Sequence, residues 1–322
     1  MRYGLMTAIL LGSTAAAFAQ TTTAPEATVA PEATAAPETP PASAAAPAPA
    51  TSEPAATAPA SDAPAPAVAD ATVAPPLDAF GPLSDAAKAA MTAKAEGRPS
   101  TGKDWMVAAA NPLAVEAGAK ILGAGGSAAD AMVAVQSVLG LVEPESSGLG
   151  GGSFVVWYDA ESGQVTTLDA RETAPASAHS DRYRTADGGF DRDRAENGPW
   201  SAGIPGLPAA FVHIAERYGA LPLSQSLAPA IRIAEEGFPV YARFARGYQS
   251  RRAVMERYPG TREVFLAQGR PLRDGDLFRQ PDLARTLERL AAEGFDGFYR
   301  GETARLLADP EVGAVVDRVV FA

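Results

Sequence analysis

Hydrophobic residues recur at helical spacing along most of the chain from residue 84 onward. Apolar positions that fit one face of a helix occur in residues 84–95, 112–123, 203–218, 227–236, 283–290 and 302–307. Residues 127–142 are apolar on nearly every side, which is typical of a helix buried within a layered fold. The pattern therefore predicts a mostly helical domain organised around one buried helix.

The hydrophobic pattern changes from helical to alternating at one point along the chain. Residues 154–158 and 165–169 are rich in Val, Thr and aromatic residues, and the polar residues 159–163 separate them, which predicts a β-hairpin. Arg171 follows the second of these strands. A further short strand is predicted at residues 105–109.

Capping residues mark the ends of the two central helices. The predicted apolar face of the first consists of Leu113, Val115, Ala119 and Leu122. Pro112 opens this helix, and Gly123 ends it, with the glycines at 125–126 supplying a left-handed turn. Ser127 then caps the buried helix, and Asp130 stands in the capping-box position.

A glycine-rich segment at residues 146–153 raises the question of phosphate binding. A P-loop runs from a strand through glycines to a helix, whereas here a helix precedes the glycines, a strand follows them and no lysine comes after. The G-x-G-x-x-A pattern at 123–128 is also entered from a helix, so a dinucleotide site is not predicted. The Ser-x-x-Lys pattern at 100–103 lies in a Pro/Gly-rich connection and is interpreted as a chance match. Two interpretations of the glycine-rich segment remain: close packing, or close approach of its backbone to something at the mouth of the following strand.

The first quarter of the chain has the composition of export and spacer segments. Arg2, an apolar run after it and Ala-Phe-Ala at 17–19 predict a signal peptide over residues 1–19. The apolar run is shorter than the roughly 20 residues that span a bilayer, so we expect no membrane span in the mature chain. Residues 20–82 are mainly Ala, Pro, Thr and Ser, which predicts a disordered linker, and residues 83–322 contain the folded domain. The expected location is the periplasm or the cell exterior.

Charge and residue types exclude several classes of function. The net charge is −11, and the linker holds seven acidic residues and no basic one, so the folded part is mildly acidic and nucleic acid is not an expected partner. The arginine-rich residues 243–262 are therefore interpreted as a solvated helical face.

There is no cysteine, and His179 and His213 are the only histidines, so no metal site, thiol nucleophile or His-dependent triad is predicted. The Asp-Arg-Asp sequence at 191–193 lacks the glycine and the final glutamate of a calcium loop.

A series of motifs stands in a fixed order along the folded region. They are residues 106–118, GGSAADA at 125–131, VEPESSGLGGG at 142–152, LDARETAP at 168–175, GIPG at 203–206, EGFPV at 236–240 and QPDLARTL at 280–287. The series resembles the N-terminal part of the γ-glutamyltransferases, also called glutathione hydrolases, and covers residues 104–308. The departures are small: Ser127 stands where the family commonly has Asn, and Ala170 where it commonly has an aromatic residue.

The resemblance implies an α+β fold of the N-terminal-nucleophile hydrolase type, an αββα sandwich with two packed sheets between helical layers. This chain would supply an incomplete version, the large-subunit portion, mostly helical with one β-hairpin. The implied activity is cleavage of γ-glutamyl amides such as glutathione, with transfer of the γ-glutamyl group to water or to amino acids. No cofactor is implied.

The resemblance also implies a role for Arg171. In the family an arginine in the D-x-R-E-x-A-P motif binds the α-carboxylate of the donor, and Arg171 occupies that position. A planar guanidinium can bind a carboxylate through two charge-assisted hydrogen bonds, which a lysine does not reproduce. From the residues alone, a surface ion pair of Arg171 with Asp169 or Glu172 remains open.

The group that carries the reaction in the family is expected outside this chain. The resemblance implies a precursor that cuts itself, after which the N-terminal Thr of a new small subunit attacks the amide. No catalytic residue is therefore predicted here, and the chain, read as truncated before the nucleophile, is expected to be inactive alone. A separate small subunit that carries the nucleophile would complete the site. The alternative is an exported scaffold or ligand-binding protein that retains part of the fold without the chemistry.

Overall fold

The computed structural model describes residues 7–9, 80–266 and 269–308. The predicted signal peptide and linker lie outside the described residues, except for 7–9 and 80–82. The chain divides into two compact units, and all described residues belong to one of them. The other unit, residues 13–73, lies outside the described part of the chain.

Helices are the main elements of the described residues. They are α1 (Asp85–Ala95), α2 (Pro112–Gly123), α3 (Ala128–Val142), α4 (Arg192–Glu196), α5 (Leu207–Tyr218), α6 (Leu223–Glu236), α7 (Ala242–Met255), α8 (Pro259–Phe265), α9 (Pro281–Glu293), α10 (Phe295–Tyr299) and α11 (Glu302–Leu307). The strands are β1 (Thr7–Ile9), β2 (Ser153–Asp159), β3 (Gln164–Ala170), β4 (Phe238–Pro239) and β5 (Leu277–Phe278). In the part of the chain that is described, no helix combines the length and the apolar character needed to cross a bilayer.

Helix α3 lies at the centre of the core, as its sequence predicts. Eleven of its 15 residues are buried, so it has no solvent face. It packs against α2, α5 and α6. Val133, Val138 and Val142 are completely buried. Burial of one such side chain contributes about 1.5–3 kcal/mol, so this helix is stabilised mainly by its packing.

The junction between α2 and α3 has the predicted capping geometry. Helix α2 ends at Gly123, and Gly125 has a φ of +90°. The Asp130 N–H donates to Ser127 Oγ at 3.2 Å, and the Ser127 N–H donates to Asp130 Oδ2 at 2.7 Å. The same carboxylate oxygen accepts the N–H of Ala220 at 2.8 Å. The capping box therefore also anchors the turn that follows α5.

The buried face of α2 differs from the prediction. The predicted residues are only partly buried, and the fully buried positions are Ala114, Ala117, Gly118 and Ile121. Helix α3 approaches α2 closely, because a Cβ on Gly118 would lie 2.6 Å from Val135 Cγ2. Close packing of the two helices thus requires small side chains on the buried face of α2. The prediction, which used hydrophobicity alone, placed larger side chains there.

Strands β2 and β3 form the predicted hairpin, each one residue longer at both ends than predicted. They pair antiparallel from Ser153 opposite Ala170 to Asp159 opposite Gln164. Strand β1 pairs antiparallel with the other edge of β2, so the sheet order is β1-β2-β3.

The two faces of the hairpin have different environments. Val155 and Trp157 are buried, and the Trp157 ring stacks on Tyr218 of α5 with centroids 4.5 Å apart. Phe154 and Tyr158, which alternate with them, are exposed. One face therefore joins the helical core, and the other is open.

The prediction of a strand at residues 105–109 is wrong. These residues have no regular secondary structure, and Trp105 and Met106 are exposed. A strand needs a neighbour for its backbone hydrogen bonds. Among the described residues, neither sheet includes this segment.

The helices of the second half are largely as predicted. The predicted segments 203–218 and 227–236 correspond to α5 and α6, although α6 begins earlier, at Leu223. Two short helices were not predicted: α4, which overlaps the Asp-Arg-Asp sequence at 191–193, and α10. Each has five residues, which is too few for a hydrophobic period to appear.

Residues 243–262 form the predicted solvated face. Their arginines are all exposed, on α7, on α8 and in the turn between them. Tyr248 instead points inward and stacks on Phe244 at 4.5 Å. Phe238 and Phe278, from the β4–β5 pair, complete this aromatic part of the core.

Candidate functional site

Arg171 is the first residue after β3. The strand ends at Ala170, and the N–H of Arg171 donates to Asp169 Oδ1 at 3.0 Å. This turn takes the chain out of the sheet beside the start of β2, because Ser153 pairs with Ala170. The hairpin register therefore places Arg171 next to the glycine-rich segment.

Two glycines from different loops lie against the backbone of Arg171. A Cβ on Gly152 would lie 2.4 Å from the Ala170 carbonyl oxygen and 2.7 Å from Arg171 Cα. A Cβ on Gly206 would lie 2.3 Å from the Ala170 carbonyl oxygen and 2.7 Å from that of Arg171. A side chain at either position would overlap backbone atoms, so only glycine fits. The close-packing interpretation of the glycine-rich segment is confirmed at Gly152, whereas nothing lies within 4 Å of a Cβ placed on Gly148 or Gly150.

The loop before α5 is hydrogen-bonded to both neighbouring segments. The Ile204 N–H donates to the Thr173 carbonyl at 2.8 Å, and the Thr173 N–H donates to the Ile204 carbonyl at 3.2 Å. The Gly151 carbonyl accepts the N–H groups of Gly206 and Leu207, both at 3.0 Å. Three segments that are distant in sequence thus form one backbone cluster around Arg171.

Tyr299 supports this cluster from α10, and sequence reasoning did not identify it. Its hydroxyl donates to the Pro205 carbonyl at 2.7 Å and accepts the Ala209 N–H at 3.1 Å. Burial raises the pKa of Tyr299 to about 12, so the hydroxyl remains a donor at neutral pH. The two partners lie 94 and 90 positions away, and a single tyrosine in a short helix gives no sequence signal of such contacts.

The Arg171 guanidinium is exposed and has two neighbours. Its Nη2 lies 3.0 Å from Glu172 Oε2, and its Cζ lies 5.7 Å from the centroid of the Phe154 ring. The side chain is 44% exposed. The ion pair with Glu172, which the sequence left open, is therefore present. An exposed pair of this kind contributes about 0–1 kcal/mol, so a ligand carboxylate could replace Glu172 at small cost.

The segment that leads into the glycine-rich loop is fixed by Glu143, which is buried. The Tyr241 hydroxyl donates to Glu143 Oε1 at 2.7 Å, and the Asn111 side chain donates to the same oxygen at 3.4 Å. Arg243 Nη2 lies 3.7 Å from Glu143 Oε2. Burial, together with the nearby Glu143 carboxylate, raises the pKa of Glu145 and that of the Tyr241 hydroxyl. Tyr241 therefore remains a hydrogen-bond donor to Glu143.

The arrangement around Arg171 is suited to binding an anion and not to proton transfer. A guanidinium stays protonated at neutral pH, so Arg171 can orient a carboxylate but cannot act as an acid or a base. His179 and His213 are exposed. Within the described ranges, no group of three or more His, Cys, Asp or Glu side chains could hold a metal ion.

Comparison with known proteins assigns the chain to a family. The gamma-glutamyltranspeptidase family profile matches residues 114–311. The glutathione hydrolase proenzyme of Bacillus subtilis strain 168 is 38% identical over 210 residues, which are 65% of this chain and 35% of that protein. Gamma-glutamyltranspeptidase of Helicobacter pylori has a TM-score of 0.63 at 35% identity, over 65% of this chain and 60% of that chain. The transpeptidase CapD of Bacillus anthracis has a TM-score of 0.55 at 34% identity, over 67% of each chain.

The residues matched by the family profile include the hairpin, the glycine-rich segment and the loop before α5. The fold is thus the helical, hairpin-containing part of an α+β N-terminal-nucleophile hydrolase, and the predicted fold class is confirmed. The chain belongs to the gamma-glutamyltranspeptidase family, as the motifs indicated. It spans 35% of the length of the B. subtilis relative.

Proposed function

We propose that this chain binds the donor substrate of a γ-glutamyltransferase or glutathione hydrolase, with Arg171 binding the α-carboxylate of the γ-glutamyl group. The observation that carries the proposal is the exposed Arg171 guanidinium on a backbone that Gly152 and Gly206 hold in place. The names of the B. subtilis and H. pylori relatives support this substrate class, with glutathione as one member.

The chemistry of the guanidinium suits this role. Two parallel N–H groups can donate to both oxygens of a carboxylate, and each hydrogen bond to a charged group contributes about 1.5–3 kcal/mol. Because backbone contacts among three segments fix the backbone around Arg171, little backbone freedom remains to be lost when the donor binds. The ion pair with the partly buried Glu172 is the interaction that the donor carboxylate would replace.

Bond cleavage is proposed to depend on groups that this chain does not supply. The proposed nucleophile is the N-terminal Thr of a small subunit, with its own amine as the base. The B. subtilis relative is named a proenzyme, which supports a processed, two-part enzyme. The 322-residue chain alone is therefore proposed to be inactive. Its proposed location, from the N-terminal sequence, is the periplasm or the cell exterior.

The activity can be tested with γ-glutamyl-p-nitroanilide, which releases a coloured amine on cleavage. The purified chain is incubated with this donor alone and together with the part of the B. subtilis relative that follows the matched region. We expect no amine release from the chain alone and release from the mixture. Turnover by the chain alone would contradict the proposed inactivity. A mixture that assembles but gives no turnover would favour the non-catalytic scaffold.

A further inference from the structure

A second group of arginines lies around Trp200, in the segment that connects β3 to α5. The Cζ atom of Arg182 lies 5.1 Å from the centroid of the Trp200 ring, and that of Arg194 lies 4.6 Å from it. We call Arg182, Arg194 and Trp200 the Trp200 cluster. Trp200 is 42% exposed, so solvent reaches the cluster.

Backbone and capping contacts bring these three residues together. The Asp191 N–H donates to the Tyr183 carbonyl at 2.7 Å, which places Arg182 beside the start of α4. Asp191 Oδ1 accepts the N–H of Arg194 at 2.9 Å and caps that helix. The Tyr183 hydroxyl donates to the Trp200 carbonyl. The juxtaposition therefore follows from the fold of the segment and not from surface side chains alone.

The guanidinium groups of the cluster are incompletely hydrogen-bonded. Arg182 is 7% exposed, and its described side-chain hydrogen bond is from Nη2 to Ser177 Oγ at 3.0 Å. The Nε atoms of Arg182 and Arg194 are buried without a hydrogen-bond partner. Among the described residues, neither arginine forms an ion pair with a carboxylate.

The acidic residues of the same segment have other partners. The ion pairs are Asp181 with Arg184 at 2.8 Å, Asp193 with Arg257 at 2.7 Å and Glu196 with Arg192 at 2.6 Å. Carboxylates are thus abundant near the Trp200 cluster but are directed to other cations. The two arginines on the indole are left with positive charge that no described carboxylate balances.

A buried guanidinium needs a counter-charge. It cannot lose its proton, and burial of a charge without a partner is unfavourable. An aromatic ring compensates only part of that cost. We propose that the Trp200 cluster is a binding site for a small oxyanion, a carboxylate or a phosphate, that is separate from Arg171. A guanidinium binds either group through paired N–H donors, so both share the chemistry that the cluster recognises.

Tryptophan fluorescence of the full chain provides a direct test. The chain has three tryptophans, and Trp200→Phe identifies the signal of the cluster. Sodium malonate and inorganic phosphate serve as probes, titrated separately at an ionic strength kept constant with sodium chloride. We expect a saturable change in the wild type that is absent in Trp200→Phe. The dissociation constant should rise at least tenfold in Arg182→Ala and in Arg194→Gln.

Two arginines serve as controls. Arg192→Gln removes a charge from the same helix, but that side chain is 76% exposed and paired with Glu196, so its affinity should equal that of the wild type. Arg171→Lys should also leave probe affinity unchanged, which separates this site from the proposed donor site. Circular dichroism shows whether Arg182→Ala folds. If it does not, the probe affinity of Arg194→Gln decides the test, because Arg194 is only half-buried.

Each outcome of the titration supports or overturns the proposal. Saturation by malonate alone assigns a carboxylate, saturation by phosphate alone assigns a phosphate, and saturation by both supports a general oxyanion site. A wild-type chain that shows no saturation with either probe would overturn the proposal. So would an equal loss of affinity in Arg192→Gln and Arg194→Gln, which would indicate only a general effect of charge.

Discussion

The proposed binding group of Arg171 is its side chain, but the position of Arg171 is set by residues that lie against its backbone. Gly152 and Gly206 are the two whose replacement would force atoms into the Ala170 and Arg171 backbone. The motif resemblance identified Arg171, and chain order identified the segment that contains Gly152 as a packing segment, but no sequence signal gave Gly206 a packing role. The resulting cluster could not be predicted, because it joins segments that are distant in sequence.

The contribution of the Gly152 contact can be measured with a matched pair of variants. Gly152→Ala should lower the free energy of unfolding by about 1–3 kcal/mol, the usual cost of overpacking. Gly150→Ala is the control, since nothing lies within 4 Å of the position its Cβ would take. Its effect should stay within about 0.5 kcal/mol, as for other surface changes. Urea unfolding measures the free energy of unfolding of both variants. Equal losses in Gly152→Ala and Gly150→Ala would contradict close packing at Gly152.

At the scale of elements, the sequence predicted segments that carry a complete local signal. Helix α3 has both an apolar pattern and a capping box, and both are confirmed. The prediction of a strand at 105–109 was wrong because a strand depends on a partner strand that local sequence does not reveal. The prediction of the buried face of α2 was wrong for a similar reason. The short distance between α2 and α3 decides which side chains fit, and local sequence does not reveal that distance. Local signals therefore predict elements better than they predict what the elements contact.

The loop before β5 provides a test of pH dependence. Arg270 donates to both oxygens of Asp276, at 2.6 and 3.0 Å, and the Arg273 N–H donates to Oδ2 at 2.8 Å. These contacts, with that of the Arg270 side chain first, lower the pKa of Asp276 to about 2. A carboxylate with a lowered pKa stabilises the fold above its unfolded pKa of about 3.9, and the effect is lost as pH falls toward 2.

Asp276→Asn should therefore be less stable than the wild type at pH 6. The difference in unfolding free energy should shrink as pH falls from about 4 to about 2, the window between the unfolded and folded pKa values. Asp274→Asn is the control, because Asp274 is exposed and the structure shows no ion pair for it among the described residues. Urea unfolding across pH gives the comparison. A difference that is constant with pH would contradict the role of the Arg270–Asp276 pair.

At the scale of the whole molecule, one face of the sheet exposes apolar side chains. Phe154, Tyr158 and Val165 are 53%, 41% and 62% exposed. Strand β1 covers one edge of β2 and lies within the predicted signal peptide. Cleavage of that peptide would open the edge and leave an apolar sheet that favours association.

A chain that begins after residue 19 should therefore bind a hydrophobic dye such as ANS and elute from size exclusion as aggregates. Val165→Thr should lower the dye signal, because it removes apolar area from this face beside Tyr158, its cross-strand partner. Leu277→Thr, a change at an exposed apolar residue outside the hairpin, should not. A compact monomer without dye binding would contradict this account of the sheet.

Calorimetric titration of a γ-glutamyl donor into the full chain tests most directly whether Arg171 binds the donor carboxylate. Arg171→Lys is compared with Arg300→Lys, because Arg300 has a similar setting, with an aspartate at 2.9 Å and an aromatic ring at 5.7 Å. Loss of one charge-assisted hydrogen bond corresponds to a tenfold or larger rise in the dissociation constant. We predict that rise for Arg171→Lys and wild-type affinity for Arg300→Lys. Equal affinity of all three chains, or no binding by the wild type, would contradict the claim.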